Sequence, residues 1–269
     1  MKILQGKEIA ERILADVQEN IEQKKLSPRL AVILIGSDEA SQIYVDLKGK
    51  AARKIGIGFQ RIEMGEHITE KEVLDKIQEL NAAEKISGII VQLPIPEHLD
   101  KNKIIQSIAP GKDVDGFHQQ KTFAPVFPHA LWELLQSAGE DLPDKQAVIV
   151  CNSAEFGQSM QEILGRKGVR AQYVFRFQIP EKLEAIKQAD IIITACGQQN
   201  LIGARMVKSG VIIIDGGIVR VDGQVRGDVD SDSLRDFPGY LSPVPGGVGP
   251  VTIACLLRNV YLAVKKSSH

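Results

Sequence analysis

The chain alternates short strand-like segments with longer amphipathic segments, and this alternation most constrains its fold. Helical periodicity is clear over residues 7–25, where apolar side chains recur every three or four positions opposite a charged face. Strands that alternate with helices favour parallel βαβ units, so we predict an α/β fold with parallel sheets. In such sheets ligands bind beyond the carboxyl ends of the strands. The segments interpreted as strands are residues 29–35, 57–63, 87–92, 147–150, 171–175, 190–195 and 211–215.

Four polar side chains fall just after predicted strands or in the helix that follows one: Tyr44, Lys48, Gln92 and Asp115. Tyr44 and Lys48 are four residues apart, so they share one face of a helix. A lysine with a lowered pKa would take a proton from water or return one to a nitrogen. Gln92 could hydrogen-bond that lysine and help to hold its amine in the neutral form.

Each of these residues also has a plainer interpretation. Tyr44 and Lys48 could belong to a solvated helix face. Gln92 could bond loop backbone, and Asp115, which precedes a glycine, could simply form a turn. The spacing alone leaves both interpretations open.

A glycine-rich segment, Pro-Gly-Gly-Val-Gly-Pro at residues 245–250, opens the last predicted helix, at about 250–265. Its glycines allow the backbone to approach a ligand closely, and the helix start offers free N–H groups. A plain turn before the helix explains the same residues equally well.

The turn at residues 151–157 occupies the place of a nucleotide-binding loop, but it lacks the G-x-G-x-x-G pattern and does not by itself indicate a cofactor. The cysteines, at 151, 196 and 255, are far apart and form no CxxC motif. A disulfide framework or a zinc site is therefore not expected. The histidines show no metal-ligand spacing either, so we predict no metal site.

Composition excludes several classes of protein. The chain has 269 residues, enough for one large domain or two modest ones. A formal charge of -1 gives no basic field for nucleic acid. No apolar run reaches the length of a membrane span, and polar residues come too early for a signal peptide. We expect a cytoplasmic protein that binds neither nucleic acid nor membrane.

Together the motifs resemble one family closely, the bifunctional methylenetetrahydrofolate dehydrogenase/methenyltetrahydrofolate cyclohydrolases of the FolD type. The resemblance covers nearly the whole chain. It rests on the order and spacing of four segments, at residues 41–51, 88–94, 112–117 and 243–250.

This resemblance implies two α/β domains with a folate cleft between them. Residues 1–122 and 247–269 would form the substrate domain, which the last helix completes. Residues 123–246 would form a Rossmann-like dinucleotide-binding domain.

The resemblance also implies roles for the polar residues. Lys48 would be the catalytic general acid/base, Gln92 would tune it, and Tyr44 would line the catalytic site and position the substrate. Asp115 would hold the pterin ring. The residues implied to close on the folate are Pro245, Gly246 and Gly247.

The chain departs from the family pattern mainly in the dinucleotide half. At the phosphate turn, the family's first glycine, its basic residue and its proline are all replaced. Glu155 adds negative charge where phosphates would lie, and the family's His-Ser-Lys/Arg-Thr reads Arg-Phe-Gln-Ile at 176–179. The residues implied to bind the dinucleotide are Cys151, Asn152, Ser153, Gly157, Arg176, Gly217 and Ile218.

The resemblance implies a homodimeric enzyme of one-carbon metabolism and purine biosynthesis, with a tetrahydrofolate derivative as substrate and NADP as cofactor. In the family's reaction, a hydride leaves 5,10-methylenetetrahydrofolate for NADP, and water then converts the methenyl product to 10-formyltetrahydrofolate. Because only the folate half matches well, we expect the dehydrogenase activity to be weak or absent. A monofunctional cyclohydrolase and a non-catalytic folate-binding protein stay open as alternatives, as does the choice between NAD and NADP.

Overall fold

The computed structural model describes residues 1–267, which form two compact units. The small-sheet unit comprises Glu11–Val126 and the chain from Ile253 onward. The large-sheet unit comprises Met1–Ala10 and Phe127–Thr252. Each unit contains a parallel sheet packed against helices, so the predicted α/β class is confirmed.

The helices and strands follow the predicted alternation. In chain order they are β1 (Lys2–Ile3), α1 (Gly6–Gln23), β2 (Arg29–Ile35), α2 (Glu39–Lys54), β3 (Gly58–Met64), α3 (Glu70–Ala82), β4 (Gly88–Val91), α4 (Lys101–Gln106), α5 (Val126–Gln136), β5 (Gln146–Cys151), α6 (Ala154–Gly165), β6 (Arg170–Phe175), α7 (Ile179–Gln188), β7 (Ile191–Ala195), β8 (Val211–Asp215), β9 (Val219–Val221), β10 (Gln224–Arg226), β11 (Gly239–Leu241) and α8 (Val248–Ser267).

In the small-sheet unit, β2 lies between β3 and β4, and both pairings are parallel. Every residue of β2 after Arg29 is buried, which explains its continuous apolar sequence. An isolated parallel bridge joins Ile89 to Asp113 and brings the next segment alongside β4. The carboxyl ends of parallel strands meet at one edge, so Gln92 and the segment after Asp113 lie near the start of α2.

Side-chain caps fix where two helices of this unit begin. Thr69 and Glu72 form the capping box at the start of α3, because each side chain accepts the other's backbone N–H. The Asp38 carboxylate accepts the N–H of Ser41, at 2.7 Å, and so caps α2. This cap fixes the residue at which α2 begins.

The large-sheet unit has six parallel strands in the order β1-β11-β8-β7-β5-β6. The chain passes from β5 to β6 on one side and then through α7 to β7 on the other. Strand order therefore reverses at β5. The crevice beyond the carboxyl ends of β5 and β7 is where open α/β sheets bind ligands.

The sequence analysis missed three elements, α7, β1 and β11. The two strands are two and three residues long, too short to show a periodic pattern. The pairing of β1 with β11 places the first residues in the large-sheet unit, which differs from the assignment of residues 1–122 to the substrate domain. The boundaries of the functional domains stay a prediction.

Among the described residues, the stretch Val248–Lys265 of α8 is long and apolar enough to cross a membrane, judged by length and composition alone. However, 61% of this stretch is buried inside the protein. Such burial is typical of a core helix.

Gly157 generates a prediction about packing, because a Cβ at this position would lie 2.6 Å from Cγ of Tyr173. The tyrosine is on β6, so the added methyl group would press α6 away from the sheet. We expect Gly157→Ala to lower the free energy of unfolding by about 1–3 kcal/mol, measured by urea unfolding followed by circular dichroism.

Gly165→Ala, at the end of the same helix, is the matched control, because a Cβ there meets no atom within 4 Å. It should leave stability unchanged or raise it by up to about 1 kcal/mol. Equal losses in the two variants would contradict close helix–strand packing as the reason for Gly157.

Candidate active site

A hydrogen bond in the small-sheet unit joins two of the predicted site residues. Lys48 Nζ on α2 donates to Oε1 of Gln92, which follows β4, at 2.6 Å. Gln92 Nε2 donates to the carbonyl of Leu93 at 2.7 Å, so the amide oxygen is the end that faces the lysine. Tyr44 lies one turn earlier on α2, with its ring centre 6.0 Å from Lys48 Nζ.

Burial lowers the pKa of Lys48 below its usual range, while the nearby charge of Asp115 acts in the opposite direction. The lowered pKa makes the neutral amine more available than in a solvated lysine. Gln92 orients the amine, and the pKa is lowered by loss of solvent rather than by this hydrogen bond. Burial also raises the pKa of the Tyr44 hydroxyl, so the ring presents a neutral phenol.

The Asp115 carboxylate is the charged group that acts on the Lys48 amine. Burial raises its pKa to about 6, against the opposing effect of Lys48. Within the described residues, the structure records no hydrogen bond to the Asp115 carboxylate. Its oxygens are therefore available to accept N–H groups of a ligand.

Neighbouring residues hold the backbone around Asp115. The buried Asp113 carboxylate accepts the N–H groups of Gly116 and His118, at 3.2 and 2.6 Å. Asn259 Nδ2 donates to the carbonyls of Val114 and Ala124, both at 2.9 Å. The turn role suggested for Asp115 thus belongs to Asp113, and sequence reasoning missed Asn259 because it is far along the chain.

Lys112 anchors the same segment to the end of α3. Its ammonium donates to the carbonyls of Leu80, Asn81 and Ala83, at 3.0, 2.8 and 2.8 Å. Leu80 and Asn81 belong to the last turn of α3, where carbonyls have no intrahelical partner, and Ala83 directly follows the helix.

The predicted folate loop, Pro245, Gly246 and Gly247, belongs to the large-sheet unit. The Gly6 N–H donates to the Gly246 carbonyl at 3.1 Å. A Cβ on Gly6 would lie 1.7 Å from the Gly247 carbonyl oxygen. Gly6 is therefore a packing partner of the loop that sequence reasoning missed.

The residues predicted to bind a dinucleotide lie at or after the carboxyl ends of β5, β6 and β8. Asn152 Nδ2 donates to the carbonyl of Cys196, at 2.8 Å, across the crevice where strand order reverses. The Ser153 hydroxyl accepts the N–H of Phe156 and caps α6. Ile218 is exposed.

The phosphate turn fits a dinucleotide only in part. Cys151 is fully buried, and its thiol donates to the Ser153 carbonyl at 3.3 Å. The Asn152 amide is engaged with backbone, and Glu155 lies in the first turn of α6, where negative charge opposes a bound phosphate. The sheet and the crevice suit a dinucleotide, while the turn supplies no cation to its phosphates.

Two buried carboxylates organise the loops around this crevice, and sequence reasoning missed both. Asp228 accepts the N–H groups of Cys196 and Gln198, at 2.7 and 2.8 Å. Asp215, whose pKa burial raises to about 6, accepts the N–H groups of Gly217 and Asp228, at 3.0 and 3.1 Å. The sequence held one signal for each carboxylate: Asp215 ends a predicted strand before two glycines, and Asp228 follows a glycine.

Gly217 has a structural reason to be glycine, since a Cβ there would lie 2.0 Å from Oδ1 of Asp228. The described residues contain no cluster of His, Cys, Asp or Glu that could hold a metal ion. The prediction of no metal site also included His269, which lies outside the described residues. The cysteines are free and buried.

Two family models match the chain. The catalytic domain of tetrahydrofolate dehydrogenase/cyclohydrolase matches residues 4–115, and the NAD(P)-binding domain of the same enzymes matches residues 125–268. Bifunctional protein FolD of Staphylococcus aureus (strain JH9) is 39% identical over 277 residues, which cover 98% of this chain and 96% of that protein.

Solved structures agree with these matches. The crystal structure of the bifunctional FolD enzyme from Campylobacter jejuni superposes with a TM-score of 0.94 at 38% identity, over 99% of each chain. The Trypanosoma brucei FolD structure, complexed with NADP and an inhibitor, has a TM-score of 0.93 at 28% identity, over 99% of this chain and 98% of that one.

The matched stretches contain both groups of residues described above. Lys48, Gln92 and Asp115 lie in the catalytic-domain match, and Asn152 and Arg176 lie in the NAD(P)-binding match. The chain therefore belongs to the tetrahydrofolate dehydrogenase/cyclohydrolase family.

Proposed function

We propose that this chain hydrolyses 5,10-methenyltetrahydrofolate to 10-formyltetrahydrofolate with Lys48 as the general acid/base, and that it oxidises 5,10-methylenetetrahydrofolate only weakly. The observation that carries the proposal is the half-buried Lys48 amine, which has a lowered pKa and is oriented by Gln92 at 2.6 Å. A solvated lysine would be protonated at neutral pH and unable to accept a proton.

In the reaction, Lys48 must take up one proton and later return one. Neutral Lys48 takes a proton from water as the oxygen bonds to the methenyl carbon. The Lys48 ammonium then protonates N5 as the carbon–N5 bond breaks, and the adduct's hydroxyl proton leaves to solvent as the formyl carbonyl forms on N10. A single group serves both steps more readily when burial lowers its pKa below the usual value for lysine.

The neighbouring residues bind and orient the folate. The unbonded Asp115 carboxylate would accept two N–H groups from the pterin ring, an arrangement in which charged hydrogen bonds are strong. Tyr44 would line the ring-binding surface beside Lys48. That Pro245, Gly246 and Gly247 also contact the folate is implied by the resemblance and stays a prediction.

The dehydrogenase reaction places different demands on the protein. A bound NAD(P) would accept the hydride of the methylene bridge, and the residues that would hold it are Asn152, Ser153, Arg176, Gly217 and Ile218. Tight binding of the pyrophosphate normally uses glycine backbone and nearby cations. The buried Cys151 side chain and the Glu155 charge work against both, so we propose that dinucleotide affinity is low.

A cyclohydrolase without dehydrogenase activity is the second candidate, and the same phosphate turn favours it. A non-catalytic folate-binding protein is disfavoured, since mere binding does not require a buried lysine with a lowered pKa. We also propose a cytoplasmic homodimer, on the resemblance to the family alone.

Lys48→Met should reduce methenyltetrahydrofolate hydrolysis by about 10²-fold or more, because it removes the proton carrier. The measurement is the decay of methenyltetrahydrofolate absorbance, with circular dichroism to show that the variant is folded. Lys50→Met, two residues along the same helix and exposed, is the control and should stay within about twofold of the natural chain. A Lys48→Met variant with more than half of the activity would remove Lys48 from the mechanism.

Asp115→Asn should weaken tetrahydrofolate binding by about 1.5–3 kcal/mol at pH 7.5, because the charged acceptor is lost. The natural chain should lose affinity as pH falls below about 6, the raised pKa of Asp115, since protonation removes the same acceptor. Calorimetry from pH 5 to 8 measures both effects.

Comparing the pH dependence of binding in the natural chain with that in Asp115→Asn isolates the effect of Asp115, because any titration of the ligand is common to both proteins. Asp46→Asn, an exposed position on α2, is the control and should follow the natural chain. Identical profiles for the natural chain and Asp115→Asn would exclude Asp115 from ligand binding.

NADP should bind at least about tenfold more weakly than tetrahydrofolate, or about 1.4 kcal/mol. The double variant Cys151→Gly with Asn152→Arg should raise NADP affinity, because it opens the turn and supplies a cation. Calorimetry measures binding, and absorbance at 340 nm measures NADPH formation. Rapid NADPH formation by the natural chain, saturating at micromolar NADP, would show that the turn is fully functional.

A further inference from the structure

A second buried carboxylate lies in the segment that carries Asp115. Asp113 is buried, and a parallel bridge fixes its backbone against Ile89 of β4. Within the described residues, the structure records no ion pair between Asp113 and a lysine or arginine. A buried carboxylate without a paired cation is energetically costly, so packing alone is a poor explanation for this residue.

The Asp113 carboxylate closes the turn that carries Asp115. It accepts the N–H of Gly116 at 3.2 Å and the N–H of His118 at 2.6 Å, one on each oxygen. Gly116 has a positive φ of 80°, and a Cβ there would lie 2.8 Å from Cα of Pro125. The backbone on both sides of the Asp115 side chain is therefore held in one conformation.

Closing the turn in this way leaves the Asp115 carboxylate free. The N–H of His118 lies three residues after Asp115, where an aspartate side chain would ordinarily accept it, but Asp113 accepts it instead. Among residues 1–267, the structure records no hydrogen bond to the Asp115 carboxylate. Its oxygens thus stay available to the N–H groups of a ligand.

The charge of Asp113 also acts on Asp115. Burial is the largest cause of the raised pKa of Asp115, the charge of Lys48 lowers this pKa, and the charge of Asp113 raises it further. Burial raises the pKa of Asp113 itself, against the effects of its backbone donors and of His118. A negative neighbour makes Asp115 easier to protonate as the pH falls.

We infer that Asp113 is a positioning residue for folate binding: its carboxylate fixes the turn that presents Asp115, and its charge raises the pH below which Asp115 stops accepting the pterin N–H groups. The inference rests on the proposed function in treating Asp115 as the residue that binds the pterin ring. Asp113 acts through Asp115 rather than by contact with the substrate.

Asp113→Asn tests the two contributions, because it keeps an acceptor oxygen and removes the charge. Carbon NMR of ¹³C-labelled aspartate carboxyl groups follows the titration of Asp115 without any ligand. The Asp115 signal is assigned by its absence in Asp115→Asn. In Asp113→Asn the midpoint of this titration should move to lower pH by about half a unit or more, because a negative neighbour is removed.

Calorimetry with tetrahydrofolate from pH 5 to 8 measures the effect on binding. At pH 7.5, Asp113→Asn should bind about three- to tenfold more weakly, because one backbone N–H loses its acceptor and the turn loosens. The same variant should nevertheless keep its own affinity to a lower pH than the natural chain does. A merely structural role would weaken binding at every pH and leave the midpoint unchanged.

Asp100→Asn is the matched control. The exposed Asp100 carboxylate accepts the N–H of Lys103 at 3.0 Å, at the start of α4. Its replacement removes a carboxylate that also binds backbone in this unit, and should leave the Asp115 midpoint and the folate affinity unchanged. Asp113→Ser, which is uncharged and has a shorter acceptor, should move the midpoint in the same direction as Asp113→Asn. It provides a second variant if Asp113→Asn does not fold.

Two sets of results would overturn the inference. In the first, the Asp115 midpoint in folded Asp113→Asn is unchanged or moves to higher pH, while Asp115→Asn binds folate more weakly than the natural chain. The proposed function would then stand, and only Asp113 would lose its role. In the second, the natural chain and Asp115→Asn bind tetrahydrofolate equally at every pH. That result would remove the pterin-binding role of Asp115 together with the inference.

Discussion

The loss of solvent around the Lys48 amine is the constraint on which the proposed chemistry of the small-sheet unit depends. An ammonium in water cannot act as a base at neutral pH, and burial is what lowers the pKa of this one. Asp115 opposes that effect, and its own pKa is raised for the same reason. Within the described residues the two groups form no ion pair. Each therefore keeps its capacity to exchange a proton or accept a hydrogen bond from a substrate.

The surrounding hydrogen bonds keep these two groups in place without neutralising them. Gln92 uses one end of its amide to bond the Leu93 carbonyl and the other to orient Lys48. Lys112 and Asn259 bind only backbone carbonyls, so they fix the Asp115 segment while leaving its carboxylate unbonded. In the proposed reaction, the substrate would meet groups that are already oriented, which reduces the entropy lost when the reactive geometry forms.

Much of the fold could be predicted from the sequence because burial on both faces of a parallel strand leaves a continuous apolar run, as in β2 and β5. β1 and β11 could not be predicted, since two or three residues carry no period and their partners are remote in sequence. The hydrogen bond between Lys48 and Gln92 could be expected from their places, in the helix after β2 and directly after β4, while their roles stay a prediction. Asp228 was not predictable, because a buried carboxylate that accepts backbone N–H groups looks the same in sequence as an ordinary turn aspartate.

In the large-sheet unit, the residues that shape the crevice differ from the residues of the phosphate turn. Asp215 and Asp228 fix the loops beyond β7 and β8 through backbone N–H groups, and Gly217 is required there because a side chain would overlap Asp228. None of these contacts involves the phosphate turn. The side chains of Cys151 and Asn152 can therefore weaken phosphate binding while the crevice itself persists. In the proposed function, water addition to a methenyl folate requires no nucleotide, so weaker phosphate binding would slow only the hydride transfer.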